Sequence, residues 1–476
     1  MKKNKIKEIT IFLIIMLYLA SGIMLREVKD LDELWNYNFA SNISDGLIPY
    51  KDFNMVVTPL LSMVSGITLS IFGKQLIIIR MLNILLNTLI IFMTYKIMKK
   101  LEVKKYITYA ILMFSTYVLQ KYAMFDYNFA IELIILIIVY LEIGSKKINP
   151  IVLGILAGLC ITLKQTMGLA ISMVLIGYKL LEVRNKEDLK KYAKDAMLRT
   201  IGVIIPVILM ILYLVINDAF KDFIDYCILG VSTFLNKVSY IQRLVIKSKI
   251  EIKILAVLPI SIIILLIMYV KNKEKDALIL SVFGITSMLA VYPIADETHL
   301  MSGIFITLIA VAYILNKIIK RDFIVLNIFL YVFSIMFVIY QVINSSYVYI
   351  KSNKNMNIEH YKYLIIKQDT IDYIEKIDKY IEESKKEVYI LDSSAAFYMI
   401  PINRYHKDYD MFNLGNLGSK GEDGQIENIK QQVGYVKILI KKDKYSRNWQ
   451  TPENVRKWIK QNMKKTDEVG TFEVYE

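Results

Sequence analysis

Asp30, Asp32, Glu33, Asp45 and Asp52 outnumber Arg26, Lys29 and Lys51 in the segment REVKDLDELWNYNFASNISDGLIPYKDF, which follows the first apolar run of the chain. Asp30 with Glu33 three residues on has the spacing of a capping box, opening a helix that runs to a stop at Gly46. Glu33 then has a structural part to play. Asp32 falls in the first helical turn, where the dipole favours the ionised carboxylate. A fixed carboxylate of that kind suits a general base; a solvated loop acid is the plain alternative.

Further along, ionisable groups stand at the ends of apolar runs. Arg80 opens one run, Asp126 closes the tip between two others, Lys164 and Gln165 interrupt a pair of half-length runs, and His299 follows Asp296 and Glu297. Such groups are costly near a bilayer and usually face a cavity, a partner or a substrate. Lysine also snorkels at helix ends, which is the bland account of Lys164, and His299 can be no more than a satisfied helix end. Cations here suit a phosphate, and a divalent ion (Mg or Mn) held by Asp32, Glu33 or Asp126 would serve the same charge.

The elements that must position these groups are membrane helices. Of 476 residues 55% are hydrophobic and 22% charged, with a mean hydropathy of +0.43. The apolar residues come in runs of bilayer-spanning length, and not in the short alternating segments of an outer-membrane barrel. The net charge of +15 resides mainly in short loops, where it sets orientation, so a nucleic-acid binder is not indicated. Two cysteines, Cys160 and Cys227, and three histidines, His299, His360 and His406, are too few for a disulfide framework or a Cys/His zinc site. The first run lacks a small-residue cleavage site before Arg26 and reads as a retained anchor.

The expected spans are 9–25, 76–98, 106–120, 127–144, 150–163, 167–181, 199–217, 251–270, 276–294, 299–316 and 323–344. Residues 58–73 are apolar too, but counting them as a crossing would export every later basic loop, against the positive-inside rule. They are read as an interfacial helix. The fold class is then a helical integral-membrane bundle of about eleven transmembrane helices plus interfacial helices, in a multi-pass plasma-membrane protein. The N-terminus is cytoplasmic, and a membrane module over residues 1–344 exports its first loop, 26–75. Residues 345–476 form a small extracytoplasmic α/β domain: the amphipathic IDYIEKIDKYIEE at 371–383 precedes strand-like VYILD at 388–392, then VKILI and FEVYE. The glycines of 415–424 lack the order of a dinucleotide site and read as a flexible loop. Asp392, Ser393, Ser394 and His406 lack the nucleophile elbow of a hydrolase.

An apolar helix leads to Asp32, Glu33, Trp35 and Tyr37, then to Gly46, Pro49, Tyr50, Asp52 and Phe53, then to Thr58–Leu61. Asp-Tyr-Asn follows at 126–128, then Gly154, Ala157, Gly158, Lys164, Gln165 and Gly168, and finally Tyr292, Pro293, Asp296 and His299. This order resembles the GT-C-type glycosyltransferases, among them the protein O-mannosyltransferase and aminoarabinose transferase families, over roughly residues 9–316. The resemblance implies transfer of a sugar from a polyprenyl-phosphate donor to a cell-envelope acceptor, with Asp32 as base and Glu33 and Asp126 nearby. The aminoarabinose transferases have a lysine before paired prolines where this chain has Val57-Thr58-Pro59. Phosphate recognition therefore passes to Arg80, Lys164 and His299, with Gln165 and Tyr50 completing the substrate-binding set. A transporter or flippase of a lipid-linked saccharide, and a non-catalytic membrane protein binding an envelope polymer, are the alternatives.

Overall fold

A backbone in hydrocarbon must satisfy its own polar groups, so long apolar runs fold as helices. In the computed structural model each of the expected runs falls on a helix or a helix pair. The structure describes all residues but 1, 29–30, 145–147, 235–236, 405, 408 and 447–450, and side chains from residue 5 on. Asp30 of the expected capping box, and Lys146 and Lys147 of one basic loop, lie outside the described residues.

In chain order the helices begin with α1 (Lys2–Ile23), α2 (Leu31–Ser44), α3 (Leu60–Phe72), α4 (Leu76–Lys100) and α5 (Lys105–Tyr122). There follow α6 (Tyr127–Glu142), α7 (Pro150–Leu163), α8 (Gln165–Gly177), α9 (Lys186–Ile216) and the single turn α10 (Phe220–Phe223). Next come α11 (Ile250–Val257), α12 (Ile260–Asn272), α13 (Lys275–Ser287), α14 (Glu297–Gly303), α15 (Phe305–Ile318) and α16 (Ile324–Lys351). The C-terminal region adds α17 (Gln368–Glu383), α18 (Ala395–Met399), α19 (Gly421–Lys430) and α20 (Glu453–Asn462). Its strands are β1 (Glu387–Ile390), β2 (Val436–Lys441), β3 (Lys465–Val469) and β4 (Phe472–Tyr475).

Among the described residues, five helical stretches are long and apolar enough to cross a membrane: Lys5–Ile23, Leu76–Lys100, Lys186–Ile216, Ile250–Asn272 and Ile324–Lys351. The helices α14 and α15 make a sixth if they are one span, bent by 56° at Ile304. The other expected runs form shorter helices, and α3, read as interfacial, has 13 residues. The protein is thus a mostly helical, multi-pass membrane protein with a small C-terminal sheet.

Packing divides the chain into two units. One comprises Met1–Arg26, Arg80–Met210 and Lys237–Lys351; the other comprises Glu27–Ile79, Ile211–Asn236 and Ser352–Glu476. The first loop was assigned from sequence to the membrane module, whereas packing groups it with the C-terminal domain through side-chain contacts far apart in sequence.

In the first unit the basic segments gather at one end. Lys96 and Lys99 pair with Glu8 at 3.1 and 2.7 Å, Lys100 donates to the Tyr140 carbonyl, and the Lys104 amide donates to Asn316 Oδ1 at 3.0 Å. Lys317 meets Glu274 at 3.2 Å, and the Tyr269 hydroxyl reaches the Leu181 carbonyl. Arg199, buried on α9, joins α6 through Glu142 at 2.5 Å and donates to the Leu175 carbonyl of α8 at 2.7 Å. The crossing of α7 and α9 rests on small residues: a Cβ on Gly154 would stand 2.1 Å from the Arg199 carbonyl oxygen, and one on Gly202 2.3 Å from that of Ile151. Close approach of this kind is how helices associate without a hydrophobic drive between them.

In the second unit the strand order is β1-β2-β4-β3, with β1 and β2 parallel and the other pairs antiparallel. Register sets Val388 opposite Lys437 and Leu439 opposite Val474. Tyr389, Leu391, Ile438, Ile440, Val455 and Ile459 are part of the core between sheet and helices. On α2, every residue from Glu33 to Asn42 is buried. Trp35 Nε1 donates to the Ser393 carbonyl at 3.0 Å, and Asn38 Nδ2 to Asp410 Oδ2 at 3.2 Å. The stretch read as a flexible loop is packed instead. Asn416 and Leu417 are buried, Ser419 donates to Asp225, and α19 starts at Gly421.

Candidate functional site

At the end of the first unit opposite its basic loops, three helices begin within reach of one another's charge. Asp126 caps α6, accepting from the Asn128 amide at 2.7 Å. Lys164 occupies the extended break between α7 and α8, donating to Asn128 Oδ1 at 2.9 Å and lying 5.0 Å from the centre of the Tyr127 ring. Asp296 caps α14 by accepting from the His299 amide at 2.9 Å, and the same oxygen sits 2.8 Å from His299 Nδ1. Asp126, Lys164 and His299 interact electrostatically. Burial raises the Asp126 carboxyl above its ordinary range, opposed by its hydrogen bonds to Asn128 and by the charges of Lys164 and His299. Two acids and two nitrogen bases are thereby held at helix N-termini, which themselves favour anions. Gln165 begins α8 beside them.

Arg80 is fully buried on α4 and donates to the Arg26 carbonyl at 2.6 Å. Arg26 in turn donates to the carbonyls of Gln120 and Ala123, so these two guanidinium groups join the ends of α1, α4 and α5.

In the second unit Asp32 is half-buried in the first turn of α2, and its carbonyl accepts from Asn36 Nδ2 at 2.9 Å. Glu33, next to it, is buried. Tyr50 is enclosed in the core at a φ of 69°, its hydroxyl donating to the Val57 carbonyl at 2.5 Å and its ring edge-on to Phe223. Its position is that of a core tyrosine holding the turn before α3. Among the described residues no group of three or more His, Cys, Asp or Glu side chains gathers as a metal site would.

Two buried carboxylates of the first unit escaped the sequence reasoning. Glu142 is held by Arg199 and by the Tyr178 hydroxyl at 2.7 Å. Glu132, in mid-α6, accepts from the Ser287 hydroxyl. A lone acid inside the run YNFAIELIILIIVYLE is the signal that would have found it. In the second unit Asp392, Ser394 and Lys441 come together at the carboxyl ends of β1 and β2, with Lys441 Nζ 2.8 Å from both partners, whereas Ser393 serves only as a carbonyl for Trp35.

Against solved structures, ArnT from Cupriavidus metallidurans, in a crystal structure bound to undecaprenyl phosphate, aligns over 99% of this chain and 98% of its own, with a TM-score of 0.54 at 13% identity. The chain has the GT-C fold. The oligosaccharyltransferase of Archaeoglobus fulgidus, tethered with an acceptor peptide containing the NVT sequon, matches 91% of this chain and 69% of its own at a TM-score of 0.50 and 10% identity. The chain spans only 64% of the length of that oligosaccharyltransferase in its apo form. No protein-family model matches the chain, and no curated protein matches it significantly. Within the GT-C fold, three of the landmarks quoted from the sequence (Asp126–Asn128, Lys164–Gln165 and Asp296–His299) meet at one end of the helical unit.

Proposed function

We propose that this chain is a plasma-membrane glycosyltransferase that moves a sugar from a polyprenyl-phosphate donor to a cell-envelope acceptor. In this reading the chain crosses the bilayer eleven times, with the N-terminus in the cytoplasm and the domain at 345–476 outside. The observation that carries it is the cluster of Asp126, Lys164 and His299 in a chain of GT-C fold. A lipid-phosphate sugar keeps its tail in the bilayer and its charged head at the surface. Cations fixed at helix ends are what such a head group requires.

The acceptor hydroxyl oxygen attacks the anomeric carbon as the bond from that carbon to the phosphate oxygen breaks, with inversion. Asp32 takes the hydroxyl proton, and Glu33 supports the turn that holds it. The leaving polyprenyl phosphate carries away the electron pair, and its growing charge is met by Lys164 and His299, with Arg80 and Gln165 as further contacts. Phosphate leaves readily at neutral pH, so no protonating acid of the glycosidase kind is needed. Preorganised charges of this sort are worth about 3 to 4 kcal/mol in other enzymes. Tyr50 stabilises the loop and makes no contact with the sugar in this scheme.

Transfer by the full chain in nanodiscs, from a panel of polyprenyl-phosphate sugars with the product identified by mass, tests the reading. Asp32→Asn is expected to lose at least about 100-fold in turnover while still binding donor. Wild-type turnover in that variant would assign the base elsewhere.

A further inference from the structure

Asn128 and Glu132 are four residues apart on α6 and so lie on one face of it. Asn128 holds Lys164. Glu132, 1% exposed, accepts from the hydroxyl of Ser287 at the end of α13, and its carboxyl group lies within electrostatic reach of the amides of Phe305 and Ile306. Those two amides open α15, directly after the 56° break at Ile304. The first amides of a helix have no partner within it, and an acid near them meets the positive end of the dipole. The joint is tight: a Cβ on Gly303 would stand 2.5 Å from the Ser287 carbonyl oxygen. On the other side of the break, α14 carries His299 and packs against α6.

We propose that Glu132 is a positioning residue, whose carboxyl group fixes the break between α14 and α15 and so sets where His299 stands relative to Asp126 and Lys164. One face of α6 then places both nitrogen bases of the cluster, Lys164 through Asn128 and His299 through Glu132. The consequence for catalysis rests on the transferase reading; the structural claim does not.

Hydrogen exchange of the full chain in nanodiscs, read by mass spectrometry over 297–307, tests the structural claim. Glu132→Ala is expected to raise exchange there by about tenfold, with α1 and α4 unchanged, because it leaves the Ser287 hydroxyl without its acceptor and removes the acid facing the start of α15. Glu132→Gln keeps an acceptor oxygen and is expected to stay near wild type. Exchange in Glu132→Ala equal to wild type, or Glu132→Gln as loose as the alanine variant, overturns the proposal. Should the alanine variant not fold, Ser287→Ala decides: faster exchange over 297–307 supports the joint, and none overturns it. In transfer assays Glu132→Ala is expected to raise the donor KM more than it lowers kcat, with rescue by Glu132→Gln; an equal fall in both variants overturns the positioning role. A wild-type chain that transfers no sugar sinks the transferase reading and leaves exchange to judge the joint alone.

Discussion

Lys164 Nζ donates to Asn128 Oδ1 at 2.9 Å, so the break between α7 and α8 is tied to the first turn of α6. The ammonium is held by a neutral amide and a ring face, with Asp126 close enough to feel its charge. A cation so placed has donors to spare for an anion. Lys164→Met is expected to lower kcat/KM for a polyprenyl-phosphate sugar by about 100-fold, and Asn128→Ala, which frees the lysine without removing it, by about tenfold. Steady-state kinetics with donor varied would check both. A methionine variant of normal kcat/KM reduces Lys164 to a snorkelling residue.

The crossing of α7 and α9 tolerates no side chain at Gly154, because a Cβ there would lie 2.1 Å from the Arg199 carbonyl oxygen and 2.9 Å from the Cα of Gly202. The obstacle is backbone, which cannot swing aside. Gly154→Ala is therefore expected to destabilise the protein by about 1 to 3 kcal/mol, the usual cost of overpacking. Thermal unfolding in detergent measures this. Gly177→Ala, where nothing lies within 4 Å, is the matched control.

Local pattern made much of this fold legible. The stop at Gly46 marks the end of α2 in the chain, since Gly46 sits at a φ of 86° just after Ser44. The runs VYILD, VKILI and FEVYE overlap β1, β2 and β4. The strand β3 was missed because KTDEV is a mostly exposed edge with no apolar alternation. The grouping of α2 with the C-terminal domain was not legible either. It depends on bonds such as Trp35 to Ser393 and the Asn54 amide to the Lys407 carbonyl, which no local period encodes. For the site, a charge at the end of an apolar run pointed to Asp126, Lys164 and His299. Tyr50 is buried beside a turn, and an aromatic there looks the same in sequence whether it faces a ligand or a core.

Arg199 is 1% exposed and bonded on three sides: to Glu142 at 2.5 Å, to Asp195 at 2.7 Å and to the Leu175 carbonyl at 2.7 Å. Removing one partner of a buried pair leaves the other charged and desolvated, at about 3 to 5 kcal/mol. Arg199→Met is expected to lower thermal stability accordingly. The double variant Arg199→Met with Glu142→Gln is expected to recover much of the loss, since no bare charge then remains. Arg199→Lys keeps the charge but not the planar fork and should fall between. Equal stability of the single and double methionine variants would show that packing around the guanidinium, and not charge balance, holds this corner.

Asp410 is 4% exposed, and burial raises its carboxyl from an ordinary 3.8 to about 7, against hydrogen bonds from the His406 amide and from the Asn38 side chain. The folded state thus holds its proton more tightly than the unfolded state between about pH 4 and 7. Stability from this group is fully present below that window and is lost as pH rises through about 7. Burial acts on His360 and His406 in the opposite sense, lowering both, so their contribution falls away on the acid side of 6.5. A comparison of wild type with Asp410→Asn cancels the histidines. The asparagine variant is expected to gain on wild type from pH 5 to pH 8, by on the order of a few kcal/mol, as read from melting temperatures of the full chain at each pH. Parallel curves would mean that the Asp410 carboxyl does not change protonation on folding, and that its hydrogen bonds to α2 hold it ionised throughout.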